Sequence, residues 1–321
     1  MHIQAKPHSI ALATPFVISR GARTHCHTVR VTVQHREYKG VGECTPYPRY
    51  GESVESVIEQ IQHWTEELSG LSPIDAKQKL QQMPAGAARN ALDCALWDLL
   101  ANADKQTFPS PYFEIAPAIE TAMTVSIGEP EVMAEQARGY ARLDATLLKV
   151  KLDGEQVVER VKAVRHASPD SKIILDANEA WSGLDLESLF EELLPYNIAM
   201  IEQPLPSDND ELLSSIAHPI PLCADESLHT RKELSKLRER YEMINIKLDK
   251  TGGLTEALLL EKEARELGFS IMVGCMLGTS VAMKAALPVA TRAEIVDLDG
   301  PVLLGQDEQN GLKYHSGQLH L

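Results

Sequence analysis

The chain has 321 residues, 44% of them hydrophobic, and a formal charge of −15, enough length to bury the core of a barrel plus a modest second domain. That charge argues against nucleic acid and anionic membrane surfaces as partners, and any acidic ligand would need a local cation. No apolar run approaches the length of a membrane span. The N-terminal stretch MHIQAKPHSIALATPF lacks a basic start followed by a sustained apolar segment, so no signal peptide is read. Cys26, Cys44, Cys94, Cys223 and Cys275 are odd in number and scattered. None has redox or zinc-finger spacing, which points to a reducing, cytoplasmic compartment. The sequence sets no oligomeric state, and a homo-oligomer is left open.

Residues 1–117 read as one domain. HTVRVTVQHREYKGVGECTPYP alternates apolar and polar residues, with a glycine near an expected turn, as an antiparallel sheet does. Helical segments follow within SVESVIEQIQHWTEEL and in AARNALDCALWDLLANA, where Ala88, Leu92, Ala95, Leu96 and Leu99 fall at helical spacing. Strands followed by helices suggest an α+β domain. The proline-rich QTFPSPYFEIAP reads as a linker. From residue 118 to 302 the rhythm becomes short apolar strand, then amphipathic helix: TAMTVSIG, ATLLKVKL, KIILDAN, AMIEQP, PLCADES, MINIKLDK, FSIMVGCM and EIVDLDGP. Eight strands alternating with connecting segments imply parallel pairing and a barrel. Residues 303–321 return to a turn-rich pattern, expected to pack back on the first domain.

The polar residues that end these runs carry the chemistry. From Lys151 the steps to Asp176, Glu202, Asp225 and Lys247 are 25, 26, 23 and 22 residues, about one strand, loop and helix each. In a (β/α) barrel all such tips converge on one mouth. One acid there often caps the following helix. Three on consecutive strands would repel, and a hard cation such as Mg²⁺ resolves that repulsion. Lys149 and Lys151 share a face; their mutual repulsion should lower the pKa of one of them, making it a usable base. Lys151 and Lys247 sit on strands two and six, opposite each other across the mouth. They suit removal of a proton from one face of a carbon and return to the other, with the metal stabilising an enediolate. Asp297 and Asp299 face one way at the last strand's tip and would bind an ammonium group. His25 and His27 share a face without acids nearby and read as ordinary strand residues.

KVK, LDAN, IEQP, ADES and INIKLDKTGG, with the helix ARNALDCALWDLLA, resemble the muconate-lactonising subgroup of the enolase superfamily over nearly the whole chain. The resemblance implies an α/β fold, a modified (β/α)₇β TIM-like barrel under an N-terminal α+β capping domain. It implies Asp176, Glu202 and Asp225 as ligands of one Mg²⁺ per subunit, and Lys151 and Lys247 as the acid/base pair. Lys149 would be a supporting cation that contacts the substrate carboxylate. Asp297 and Asp299 resemble the Asp-x-Asp with which dipeptide epimerases hold the substrate's α-ammonium. Arg23 resembles the arginine that grips a glutamate side chain in the Ala-Glu epimerases of that group. The expected activity is therefore a Mg²⁺-dependent dipeptide epimerase, an isomerase interconverting L-Ala-D-Glu and L-Ala-L-Glu in cell-wall peptide recycling. Alternatives are an o-succinylbenzoate synthase-type dehydratase, a metal-free Schiff-base aldolase and a barrel with a relic site. Tyr47, Arg49 and Tyr50 form a second candidate lid, Asn178 a support for the metal shell, and the role of Cys275 is open.

Overall fold

The computed structural model describes residues 1–321. The chain opens with an antiparallel meander: β1 (His2–Ile18), β2 (Gly21–His35) and β3 (Tyr38–Cys44). Alternation in β2 turns Val29, Val31 and Val33 inward, all fully buried. Three helices cover that face: α1 (Val54–Leu68), α2 (Pro73–Leu80) and α3 (Ala87–Ala103). Their apolar stripes, among them Ile61, Leu80 and Leu92, share one core with the three valines. Helix α2 was not anticipated from the sequence, yet its signal is there. Ser72 caps it by accepting from the Asp75 N–H, and Pro73 takes the first turn. The expected turn glycine is also corrected. Gly40 and Gly42 lie inside β3, where a Cβ would come within 2.1 Å of the Ala95 and Ala91 carbonyl oxygens of α3. They are glycines because the helix lies directly on the strand.

The linker is not loose. Phe113 packs its ring 5.3 Å from Trp97 of α3, and Phe108 and Ile115 pack against the barrel core. A short strand β4 (Ala118–Glu120) precedes β5 (Met123–Val125), α4 (Pro130–Ala141), β6 (Leu147–Lys151), α5 (Val157–Ala167), β7 (Lys172–Asp176), α6 (Leu186–Leu193) and β8 (Ile198–Glu202). Then come β9 (Leu222–Ala224), α7 (Leu234–Leu237), β10 (Met243–Ile246), α8 (Leu248–Thr251), α9 (Leu254–Glu266), β11 (Ser270–Gly274), α10 (Ser280–Ala290), β12 (Ile295–Asp297) and α11 (Gly300–Leu303). The strands β5 to β12 pair in parallel in sequence order, forming an eight-stranded sheet. It is nearly closed: the Ala122 N–H donates to the Val296 carbonyl (2.8 Å), and the Leu298 N–H to Thr121 Oγ1 (2.9 Å). Between β8 and β9 only a single 3₁₀ turn, Glu211–Ser215, replaces the helix that the spacing suggested. No helix is long and apolar enough to cross a membrane.

Residues 303–321 divide their contacts, which modifies the expected return to the first domain. The Gly305 N–H donates to the Ala11 carbonyl of β1, and Arg30 of β2 pairs with Glu308 (2.7 Å). Beyond that, β13 (Lys313–His315) and β14 (Gln318–His320) form a hairpin that pairs with β4 at the foot of the barrel. Leu312 and Leu319 bury themselves in the barrel core, because the apolar residues of the hairpin find their partners there.

Inside the barrel, eight buried side chains form an apolar floor: Ala122 just before β5, then Leu147, Ile174, Met200, Cys223, Met243, Met272 and Ile295. Residues two positions on face the same lumen. They are Thr124, Lys149, Asp176, Glu202, Asp225, Asn245, Gly274 and Asp297. Two positions further stand Lys151, Asn178, Lys247 and Asp299. The strand period therefore sets a polar storey directly on a dry floor.

Candidate active site

One cavity at the carboxyl ends of the strands is lined together by Lys149, Lys151, Lys247, Asp225, Asp297 and Asp299, with Arg23 contributed by the cap. Asp176 and Glu202 lie directly beneath, both fully buried. Lys149 Nζ is 3.0 Å from Asp176 Oδ2, 2.7 Å from Glu202 Oε2 and 2.8 Å from Asp297 Oδ2. Lys151 Nζ contacts Asp176 Oδ2 at 2.6 Å and donates to Asn178 Oδ1 at 3.3 Å. Lys247 Nζ is 2.6 Å from Asp225 Oδ2.

Of the two neighbouring lysines, Lys149 is not the one that repulsion lowers. Burial works against the charge of Lys149, but the carboxylates of Asp176, Asp297 and Glu202 hold its pKa well above the ordinary value rather than below it. Burial likewise opposes charge on Asp225, yet Lys247 and then Lys250 keep it strongly acidic. Lys247 is held above its usual range by Asp225 and then Glu202, against the cost of burial. Glu202 goes the other way, pushed up to about 7 by burial and then by the charge of Asp176. Asp299 also rises to about 7, through burial and the adjacent Asp297.

Three residues of this layer were not singled out in the sequence. Lys250, 1% exposed, donates to Asp225 Oδ1 (2.6 Å) and to the Asn245 carbonyl (3.0 Å). Asn245, wholly buried, donates to Glu202 Oε1 at 2.7 Å. A Cβ at Gly274 would meet the Asn245 side chain at 2.8 Å and Lys247 Cε at 3.1 Å, so glycine there leaves both in place. Asn245 was legible: it stands two residues before Lys247 in MINIKLDK and shares its face.

The cap closes the mouth with two loops. Arg20, at the β1–β2 turn, donates to Glu226 Oε1 (2.7 Å), Tyr47 Oη (3.0 Å), the Asn178 carbonyl (3.1 Å) and Glu179 Oε2 (3.2 Å). Arg49, in the second loop, grips both oxygens of Glu179 at 2.8 and 2.9 Å. Glu179 thus holds both lids. Tyr50 packs edge-on to His229 with ring centroids 4.5 Å apart. Arg20 and Glu226 were not singled out in the sequence, although Glu226 lies within the ADES motif. Arg23 stacks over the Tyr47 ring at 5.1 Å and lines the cavity. Cys275 lines it too, its thiol pushed up by burial and by Asp297 and Asp299. His25 and His27 stack with centroids 6.1 Å apart, on the cap's outer groove rather than in the site.

No three acidic, histidine or cysteine side chains close around one point; lysine ammonium groups stand between the acids instead. The donor set nonetheless suits a hard divalent cation. Asp176, Glu202 and Asp225 supply buried oxygens from three neighbouring strand ends. Glu202 Oε2 has no hydrogen-bond donor aligned on it, even with Lys149 Nζ 2.7 Å away. Burial and the neighbouring Asp176 raise its pKa, even against Lys149. A Schiff-base lysine is not favoured. The lysines that burial pulls down are Lys77 and Lys250, and neither lines the cavity.

A cap over the mouth of a nearly closed barrel, with acids on three successive strand ends and lysines facing one cavity, defines an acid–base enzyme of the enolase type. Residues 2–108 match the description "Mandelate racemase / muconate lactonizing enzyme, N-terminal domain", and residues 132–321 match "Enolase C-terminal domain-like". The chain belongs to this enolase-superfamily family and is an isomerase of it. It is similar to the L-Ala-D/L-Glu epimerase of Escherichia coli (strain K12), at 50% identity over 97% of this chain and 96% of that one. It is also similar to an N-acetyl-D-glutamate racemase of Pseudoalteromonas sp, at 43% identity over 90% and 91%. Among solved structures, an enolase family member from Agrobacterium tumefaciens with homology to dipeptide epimerases superposes with a TM-score of 0.93. That structure shares 45% identity over 99% of this chain and 97% of that one, and it holds sodium and L-Ala-L-Glu with an ordered loop.

Proposed function

We propose that this chain is a Mg²⁺-dependent dipeptide epimerase that interconverts L-Ala-D-Glu and L-Ala-L-Glu at the α-carbon of the second residue. The observation that carries this reading is the common lining of one cavity by Lys151, Lys247, the Asp297–Asp299 pair and Arg23. Lys151 exchanges the α-proton on the face presented by the L-configured residue and Lys247 that on the other. Asp297 takes the substrate's ammonium group; its Oδ1 is buried without a donor, an acceptor to which an N–H₃⁺ brings one. Asp299 completes that site, fixed by the Thr124 N–H at 2.9 Å. Arg23 binds the glutamate side-chain carboxylate, and Lys149 the α-carboxylate.

Asp176, Glu202 and Asp225 would hold the Mg²⁺. When bound it would supply positive charge to the substrate carboxylate, which makes the α-proton acidic enough to move, and would relieve the acids that now raise the lysine pKa values. The reading fits recycling of cell-wall peptides in the cytoplasm.

A second reading is racemisation of N-acylglutamate by the same lysines. Asp299, pushed up to about 7, carries a proton part of the time at neutral pH and can donate it to an acyl carbonyl. Incubating the protein with L-Ala-L-Glu and separately with N-acetyl-L-Glu in D₂O with Mg²⁺, followed by NMR, separates the two. Deuterium at the dipeptide's second α-carbon together with the D-epimer supports the first reading. Exchange of the N-acetyl compound alone replaces it with the second.

A further inference from the structure

Next to the reaction chamber lies a second cavity that shares Phe16, Thr124 and Leu303 with it as lining. The chamber over the lysines is tight, about 70 Å³. Its neighbour has about 460 Å³ and runs outward between β1 and α4 to Leu143, which is 67% exposed. The join falls at Thr124, whose N–H fixes Asp299 at 2.9 Å. Asp297 and Asp299 line only the chamber, and Thr124, which lines both cavities, ties the second one to the acid pair assigned above to the substrate's amino end.

Its chemistry is unusual for this surface. The chain is 24% charged residues, yet no charged side chain lines this cavity. Its polar groups are partly spent on one another. Tyr140 Oη donates to the Thr124 carbonyl at 3.1 Å, and Gln136 Oε1 accepts from the Ser126 N–H at 3.0 Å. Pro15, Phe16, Leu143 and Leu303 supply an apolar wall. A charged group entering here would lose water without gaining a partner, whereas an uncharged chain would bury apolar surface.

We propose that this cavity receives the side chain of the substrate's first residue, so that dipeptides beginning with a long uncharged residue are substrates and not those beginning with alanine alone. The inference rests on the proposed function, because it takes the ammonium on Asp297 and Asp299 as its anchor. From that anchor a first side chain longer than methyl passes between Phe16 and Leu303. Gly139, in α4, also faces the cavity, and a Cβ built there meets nothing within 4 Å. A larger side chain at that position therefore starts in open space on the cavity's wall.

The test measures kcat/KM of the native enzyme for L-Ala-, L-norleucyl- and L-Lys-L-Glu, then repeats the series with Gly139→Phe. The norleucyl substrate should lie within roughly tenfold of the alanyl one, and the lysyl substrate, with the same four side-chain carbons plus an ammonium group, at least about tenfold below norleucyl. In Gly139→Phe the norleucyl-to-alanyl ratio should fall roughly tenfold. Three outcomes overturn the inference while leaving the proposed function standing. These are alanyl turnover with norleucyl about a hundredfold lower, equal turnover of norleucyl and lysyl substrates, or an unchanged ratio in a folded Gly139→Phe. If that variant does not fold by circular dichroism, the native series decides alone. No turnover of any of the three dipeptides sinks the proposed function itself, and the inference with it.

Discussion

Asn90 of the cap helix α3 donates to Asp249 Oδ1 at 2.8 Å, two residues past Lys247. The Thr45 N–H reaches the same oxygen at 3.1 Å. Beside them Arg89 donates to the Gly252 carbonyl at 3.0 Å, and Asp93 accepts from the Thr255 N–H at 2.8 Å. The helix motif ARNALD therefore holds the KLDKTGG turn that follows the Lys247 strand. Cap and barrel meet at the turn that follows the Lys247 strand.

That contact gives a pH signature. Asp249 is buried and pushed up to about 7, mainly by burial. A carboxyl raised in the folded state binds its proton more tightly there than in the unfolded chain, so stability should fall as pH rises from about 4 to about 7 and then level off. Asp249→Asn keeps an acceptor for Asn90 and lacks the charge. Thermal unfolding across pH 4–8 should show a flatter profile, with a gain of about 2–4 kcal/mol at pH 8 relative to the native chain. An unchanged slope would show that Asp249 does not titrate in that range.

Removing a carboxylate should weaken cation binding. Glu202→Gln or Asp225→Asn should lower Mg²⁺ affinity by tenfold or more, on the order of 1.4 kcal/mol, measured by calorimetry without substrate. Full activity of the native enzyme in thorough chelator would remove the metal from the mechanism.

The two lysines should separate by isotope. Lys247→Ala should stop epimerisation while still exchanging the α-proton of one epimer in D₂O, and Lys151→Ala should retain exchange of the other. If each variant exchanges both epimers normally, a two-base reaction is wrong.

Specificity rests on charge at both ends. Losing a charge-assisted contact costs about 1.5–3 kcal/mol, roughly ten- to a hundredfold in kcat/KM. N-acetylating L-Ala-L-Glu should impose at least that loss. Arg23→Met should hurt L-Ala-L-Glu more than L-Ala-L-Leu, since Arg23 has only the Tyr47 ring against it at 5.1 Å. Equal turnover of free and acetylated dipeptide would leave Asp297 and Asp299 without the assigned role.

The barrel and its polar storey were legible because a strand repeats every two residues. Leu147 fixes the side on which Lys149 and Lys151 fall, Ile174 that of Asp176, and Ile295 that of Asp297 and Asp299. What periodicity does not carry is which charge meets which. The sequence suggested that repulsion between Lys149 and Lys151 would lower the pKa of one of them, whereas closure of the sheet puts three carboxylates within 3.0 Å of Lys149 Nζ and raises that of Lys149. Nor does it carry contacts between distant segments. Glu179 meets Arg20 and Arg49, and Asn90 meets Asp249, only once the cap sits on the barrel. Local alternation chose the residues that face the lumen; the long-range packing of two domains decided their partners, because ion pairs and lids depend on distances that no neighbouring sequence sets.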